Sequence, residues 1–335
     1  MMHKPILGIL LGDTTGVGPE LIAKIAANGF LTDQCRPVII GDVRVFENGL
    51  KIIGETAPHY VISDIDEADW SKGIPVLDMK DQNPEDIVIG KISAECGKAV
   101  LNMIKTAAKL YNDGKIEGFC FAPFNKAAMI EGGCSFESEH HLLANLFGVT
   151  GPFGEINVVG ELCTTRTTSH IPIKDVSEHI TVESILRAVR LSYDTVKGMG
   201  VEDPIIGVAA LNPHCGENGL CGREELDIIV PAIEEAKKLG INAKGPYSSD
   251  ILFIKAFNGD FDSVVTMYHD QGQIALKLKG FRGGITIAGG QPAPIVTCAH
   301  GTAYDIAGKG IVDTSSIENA VKMCTKMAIV KHDKN

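Results

Sequence analysis

Three histidines carry the strongest chemical signal in this 335-residue chain. His170 lies in Thr167-Thr168-Ser169-His170-Ile171-Pro172, His214 in Leu211-Asn212-Pro213-His214-Cys215-Gly216-Glu217, and His269 in Met267-Tyr268-His269-Asp270-Gln271-Gly272. Each ends a strand-like run. In a parallel α/β sheet the carboxyl ends of the strands face one edge, and ligands bind there. Three imidazoles at such an edge can hold one divalent ion and leave positions open for substrate. Any one of them alone reads more simply as a hydrogen-bonded structural histidine; all three at strand ends point to a metal.

Acids accompany them. Asp270 follows His269 directly, and Asp250 stands where a helix begins, an N-cap on the plainest reading. Carboxylates near a cation orient its ligands or move protons. Lys277 lies seven residues after Asp270, about two helical turns, so the two can share a face. Its plainer reading is a solvated lysine. His3 and His332, near the termini, are expected to be solvated.

Two further segments suit a cofactor. Gly12-Asp13-Thr14-Thr15-Gly16-Val17-Gly18-Pro19-Glu20 joins a strand to a helix. Glycines there let backbone approach a ligand, and a helix N-terminus favours an anion. It matches neither the Rossmann nor the P-loop fingerprint, and a tight turn explains it equally. Late in the chain, His300-Gly301-Thr302-Ala303 reads as a turn opening a short helix that could face an adenine or a phosphate. A plain loop is the other reading.

The elements that must position these residues alternate. Strands are expected at 6–11, 38–40, 118–122, 156–159, 204–211, 263–268 and 285–288, and helices at 19–27, 93–111, 182–196, 223–239 and 317–330. Such alternation means α/β with a largely parallel sheet. No composition break marks a linker, so two interwoven lobes are expected, with a cleft between them as the place for a ligand.

Charge is −11, from 31 basic and 42 acidic residues, which argues against a protein that neutralises nucleic-acid phosphates. A hydrophobic content of 44% and mean hydropathy of +0.11 exclude a disordered chain. No apolar run approaches about 18 residues, so no membrane partner is expected. Nine cysteines without a C-x-x-C pair read as reduced thiols of a cytoplasmic protein.

Taken together, residues 12–20, Ala122-Pro123-Phe124-Asn125-Lys126-Ala127-Ala128, residues 212–217 with Gly222-Arg223-Glu224-Glu225, residues 268–272 and residues 300–310 resemble the 4-hydroxythreonine-4-phosphate dehydrogenase family over nearly the whole chain. The first and last segments are also similar to those of isopropylmalate dehydrogenases. The resemblance implies two interwoven α/β domains of isopropylmalate dehydrogenase type: residues 1–125 with 280–335 on the cofactor side, and 126–279 for metal, substrate and dimerisation. It implies a homodimer whose active site the partner completes, NAD as cofactor with NADP left open, and one divalent ion (Zn, Mg, Mn or Co) on His170, His214 and His269. It makes Asp250, Asp270 and Lys277 catalytic, Lys277 also substrate-binding, and Gly12, Asp13, Gly16, His300, Gly301, Thr302 and Ala303 the cofactor contacts. The implied reaction is oxidation of a small 3-hydroxy acid, 4-hydroxythreonine-4-phosphate or a 4-phospho-threonate or erythronate, with decarboxylation left open.

The sequence departs from the family in one pocket. The family's Gly-His-Thr-Glu segment is matched by Ser138-Glu139-His140-His141, so Glu139 and His140 take substrate-binding positions. The family's substrate Asn and phosphate Arg are matched by Thr286 and Ile295. An arginine fork is a strong phosphate ligand and isoleucine is none. The dehydrogenase chemistry is therefore expected to persist on a changed substrate, with a non-phosphorylated polyol acid or cyclic cis-diol carboxylate as the alternative. A non-catalytic ligand-binding homologue is the alternative of another class.

Overall fold

Apolar residues at successive positions, as in residues 6–10 and 37–40, place hydrophobic side chains on both faces of a strand. Both faces must then be covered. The computed structural model, which describes residues 3–280 and 282–334, covers them with helices. The strands are β1 (Ile6–Leu10), β2 (Arg36–Gly41), β3 (His59–Ile62), β4 (Ile74–Asp78), β5 (Gly118–Phe121), β6 (Gly154–Val159), β7 (Leu162–Arg166), β8 (Ile205–Ala209), β9 (Asn242–Tyr247), β10 (Ser263–Thr266), β11 (Ile285–Gly289) and β12 (Ile295–Cys298). The helices are α1 (Gly18–Ala27), α2 (Phe30–Gln34), α3 (Val43–Ile53), α4 (Ala94–Asn112), α5 (Lys126–Glu131), α6 (Glu139–Phe147), α7 (Val176–His179), α8 (Val182–Gly198), α9 (Val230–Lys238), α10 (Ser249–Phe257), α11 (His269–Gly280) and α12 (Ser315–Lys334).

The chain divides into two compact units, one running up to Val149 and resuming at Gln291, the other Thr150–Gly290. The expected crossings at 125/126 and 279/280 are thereby corrected. Residues 126–149 stay with the first unit because α5 and α6 pack on α4. A Cβ at Gly97 of α4 would sit 1.8 Å from the Ala128 carbonyl oxygen of α5, a crossing only glycine permits. Residues 282–290 stay with the second unit because β11 pairs with β6, Thr286 opposite Asn157.

In the first unit the strand order is β3-β4-β2-β1-β5-β12, and every pairing is parallel. Its core includes Leu7, Ile9, Leu21, Ile22, Ile39 and Phe119, none with exposed surface. In the second unit the order is β11-β6-β7-β10-β8-β9. Here β7, β10, β8 and β9 are parallel, but β6 pairs antiparallel with both β7 and β11. For β6 and β7 the physical reason is the two-residue turn Gly160-Glu161, with Gly160 at φ 62, which can only join antiparallel strands. Side chains of β8 alternate: Ile206 and Val208 meet Ile185, Val189 and Ile233 from α8 and α9, while Ala209 meets the Leu252 and Phe253 cluster of α10. Burying each large aliphatic side chain contributes roughly 1.5–3 kcal/mol.

Two further expectations are corrected. The helix expected at 223–239 opens as a π-helical turn, Glu225–Ile229, before α9. Pro231 there has no N–H to close a regular turn. Residues after His300 form successive turns rather than a helix, with the Ile306 and Ala307 N–H groups both donating to the Ala303 carbonyl (3.1 and 3.2 Å). Among the described residues no helix is long and apolar enough to cross a membrane.

Candidate active site

The ends of β7 and β10 bring two of the three imidazoles together. Thr167 and Thr168 donate backbone N–H groups to the Thr266 and Met267 carbonyls (2.8 and 3.1 Å), and the Thr168 hydroxyl donates to Met267 as well (2.8 Å). The neighbouring chains therefore leave the sheet side by side, and the His170 and His269 ring centroids stand 5.7 Å apart. They line a cavity of about 280 Å³ with Ser169, Ile173, Tyr268 and Asp270.

The ring nitrogens are oriented. His269 Nδ1 pairs with Asp270 Oδ1 at 2.7 Å, His214 Nδ1 with Glu217 Oε1 at 2.9 Å, and His170 Nδ1 lies 3.4 Å from Ser169 Oγ. A carboxylate on Nδ1 fixes the tautomer and presents Nε2 as the coordinating nitrogen. The donor chemistry of His214 and His269 thus fits a divalent ion.

His214 arrives on strained backbone. His214, Cys215, Gly216, Glu217 and Asn218 form a left-handed turn, with φ of 52, 57, 76, 46 and 55°. Left-handed geometry costs a non-glycine residue about 1–2 kcal/mol, so the surroundings must impose it. Buried Glu225 does part of this by accepting the Leu211 and Asn212 N–H groups (2.9 and 2.7 Å). Gln271 ties the three segments to one another. Its amide donates to the Ala210 carbonyl (2.8 Å) and to Ser249 Oγ (2.7 Å), and its Oε1 accepts the Met267 N–H (2.7 Å). Asp250 follows Ser249 in the first turn of α10; the capping position belongs to Ser248, not Asp250. The Ser248 hydroxyl donates to Asp250 and holds its carboxyl below the usual range, with the nearby His214 adding to the effect.

Within one chain, the three imidazoles do not close on a single point. Among the described residues, the one group of three such side chains with ligand atoms all within 4.8 Å is His3, Glu117 and His332. There the two rings stack 3.7 Å apart and 6° from parallel. Nearly parallel planes do not meet where one ion could lie in both, so this is a clasp rather than a metal centre. Glu117 receives the Ile6 N–H (2.8 Å) and faces His3 Nε2 (2.5 Å). The expectation that His3 and His332 are merely solvated is corrected accordingly.

The first unit holds the cofactor segments. Asp13 has no exposed surface, and its carboxylate accepts the Thr15 N–H (2.9 Å), the Thr15 hydroxyl (2.8 Å) and the Tyr304 hydroxyl (2.9 Å). Glu20, 1% exposed, accepts the Gly308 and Gly310 N–H groups (2.5 and 2.7 Å). A Cβ at Gly16 would lie 2.7 Å from the Thr302 carbonyl oxygen. Asp13 and Gly16 therefore build the seat of the 300–310 loop, Gly12 packs on the Ala122 backbone, and the side open to a ligand is that of His300, Gly301, Thr302 and Ala303. Burial and the Asp13 carboxylate push the Tyr304 phenol up. Glycine-lined backbone over a helix start suits a dinucleotide.

Of the divergent pocket positions, Glu139 and His140 form an ion pair at 3.5 Å in the first turn of α6, with Ser138 as its cap. Burial alone would push the Glu139 carboxyl up, but the His140 contact and charge outweigh it and hold the group at about 2. His140 Nε2 is buried without a partner. Thr286 is 6% exposed and accepts from Asn157 Nδ2 (3.1 Å). Ile295 has no exposed surface on β12, so it offers a dissolved ligand no contact, which corrects its expected substrate role. Asp270 and Lys277 are both exposed on α11.

Residues 33–324 match the family described as Pyridoxal phosphate biosynthetic protein PdxA. The chain is 39% identical over 329 residues to the D-threonate 4-phosphate dehydrogenase of Cupriavidus necator, covering 97% of this chain and 98% of that protein. A 4-hydroxythreonine-4-phosphate dehydrogenase crystal structure from Burkholderia phymatum is similar at 37% identity and a TM-score of 0.83, over 97% and 98% of the two chains. The corresponding Klebsiella pneumoniae structure gives 30% and 0.85, over 97% and 100%. The chain is a dehydrogenase by class; it belongs to the PdxA family.

Sequence reasoning missed Gln271 as a tie, the left-handed turn at His214, and Arg166. The first had no signal beyond its place beside Asp270. Gly216, Asn218 and Gly219 could have announced the turn, since those residue types tolerate positive φ. A lone arginine in Thr164-Thr165-Arg166-Thr167-Thr168 could have announced the third.

Proposed function

We propose that the chain oxidises the secondary hydroxyl of a small 3-hydroxy acid bearing a second anionic group, using NAD and one divalent ion. The observation that carries this reading is the set of imidazoles at the strand ends of the second unit, His214 and His269 each with Nδ1 on a carboxylate. The names of relatives such as the D-threonate 4-phosphate dehydrogenase support a phosphorylated substrate of the 4-hydroxythreonine-4-phosphate or 4-phospho-threonate type. Buried Ile295 and anionic Glu139 favour a second reading, a non-phosphorylated polyol acid or cyclic diol carboxylate, because like charges repel in a closed site.

His170, His214 and His269 would hold the ion, and His300 to Ala303 the dinucleotide. When bound, the ion would lower the pKa of the substrate hydroxyl and the nicotinamide would accept the hydride. The chain supplies the rest. Asp250, kept ionised by Ser248, stands near His214 as a proton acceptor. Asp270 orients His269, and Lys277, on the same helix, binds substrate oxygen. Loss of a proton from oxygen and a hydride from carbon gives a 3-keto acid, whose carboxylate can then leave as CO2.

A homodimer completes the site in this reading. Support comes from Leu220 (85% exposed), Leu278 (84%) and Ile173 (71%), apolar side chains in the histidine-bearing unit that a monomer would leave in water. Nine cysteines outside any disulfide suit the cytoplasm.

The test is NAD+ reduction by chelator-treated enzyme across phosphorylated and non-phosphorylated 3-hydroxy acids and diols, with Zn, Mg, Mn or Co restored and NADP+ run alongside. Metal-dependent turnover of one class is expected. Tight binding of a compound with no turnover of any would replace the reading with a non-catalytic ligand-binding homologue.

A further inference from the structure

Arg166 is a charged residue in an unusual place. It ends β7, four residues before His170, and its side chain is 8% exposed. Arginine is almost never buried this deeply without partners that fix it. Its Nε donates to Ser169 Oγ (3.0 Å), one Nη to Asn157 Oδ1 (2.9 Å), and the other Nη pairs with Glu155. A guanidinium has five N–H groups in a planar fork, so these three contacts leave one on each Nη.

The partners lead to the candidate site from two sides. Ser169 also faces His170 Nδ1 at 3.4 Å. Asn157 accepts from Gln273 Nε2 (2.5 Å) and donates to Thr286 (3.1 Å). Gln273 stands four residues after His269 and four before Lys277 on α11, so the three share a helix face. The fork is thus joined to the His170 segment through Ser169 and to α11 through Asn157 and Gln273. The other described arginines of this unit are placed differently: Arg187, Arg190, Arg223 and Arg282 are exposed, and Arg223 is tied to Asp227 (2.9 and 2.8 Å). A fork held rigid by three partners loses little freedom on taking two oxygens at once.

We infer that Arg166 is the specificity-determining residue that receives the distal oxyanion of the substrate, a carboxylate or a phosphate monoester, on the N–H group that each Nη keeps beside its contact to Asn157 or Glu155. This rests on the hydroxy-acid reading above. Glu155, 33% exposed beside the fork, limits how much negative charge the fork accepts.

Calorimetric titration of the full-length protein with malonate and with inorganic phosphate tests this. The wild type is expected to bind one of them: malonate for a carboxylate-bearing substrate, phosphate for a phosphate ester. Arg166→Ala should weaken that binding at least about tenfold, with free guanidinium restoring part of it, and Arg166→Lys should fall between. Glu155→Gln should tighten it several-fold, a change that a purely structural arginine would not produce. Circular dichroism confirms that each variant is folded, and Arg166→Lys keeps the test open should the alanine variant not fold. Wild-type protein that binds neither anion, or folded Arg166 variants that bind as the wild type does, would overturn the inference. Arg166-dependent anion binding without turnover of any hydroxy acid would remove the dehydrogenase reading and leave this one standing.

Discussion

Two glycine-rich segments, the seat beneath residues 300–310 and the turn carrying His214, treat their polar groups in opposite ways. In the seat, Asp13 and Glu20 are buried, and between them accept five hydrogen bonds from Thr15, Tyr304, Gly308 and Gly310. In the turn, His214 is exposed on left-handed backbone that its own residue types resist. The seat is finished by the chain itself. The turn is held by Glu225 and Gln271 and presents its imidazole outward. The difference teaches where stability and function separate: damage to the seat should cost folding, and damage to the turn should cost chemistry.

That separation can be broken in order of effect. His214→Ala should abolish turnover while leaving NAD binding and thermal stability nearly unchanged; substantial residual activity in steady-state assays would erase the contrast. Gln271→Ala should lower kcat by about 10–100-fold, because an outer partner that orients ligands is lost while the ligands remain. An unchanged kcat would show that the three segments hold themselves. Glu20→Gln should lower stability by about 2 kcal/mol in denaturant titrations, since charge-assisted bonds to two backbone N–H groups weaken. A loss of activity without a loss of stability would invert the comparison.

The last effect shows only in acid. Glu139 lies at about 2 in the folded chain against an ordinary value of 4.5. The unfolded chain therefore takes up the proton first as pH falls. The pair's contribution is present above about pH 4.5 and is lost as pH drops towards 2. It amounts to on the order of 3 kcal/mol at most. Glu139→Gln should flatten the stability curve over that window, and an unchanged slope would place the acid sensitivity elsewhere.

How much was legible follows the range of the interactions. Continuous apolar runs and helix periodicity are local, so β1, α4, α8 and α12 were readable from the residues. The His170, His214 and His269 segments were readable because each stands at a strand end. Unit boundaries were not, since they depend on the α4–α5 crossing at Gly97 and on β11 pairing with β6, contacts between distant residues. The left-handed turn, the Gln271 tie and the arginine fork are likewise made by segments brought together only by the sheet. Ile295 shows the converse: correspondence with a substrate-binding position placed it in a pocket, and packing put it in the core.

The central claim is that His170, His214 and His269 together take one divalent ion. Calorimetric titration of chelator-treated protein with Mn2+ or Zn2+, in a His332→Ala background that silences the terminal clasp, tests it most directly. One ion per chain, lost on adding His214→Ala, is the predicted result. Unaltered stoichiometry and affinity in the His214→Ala protein would contradict it.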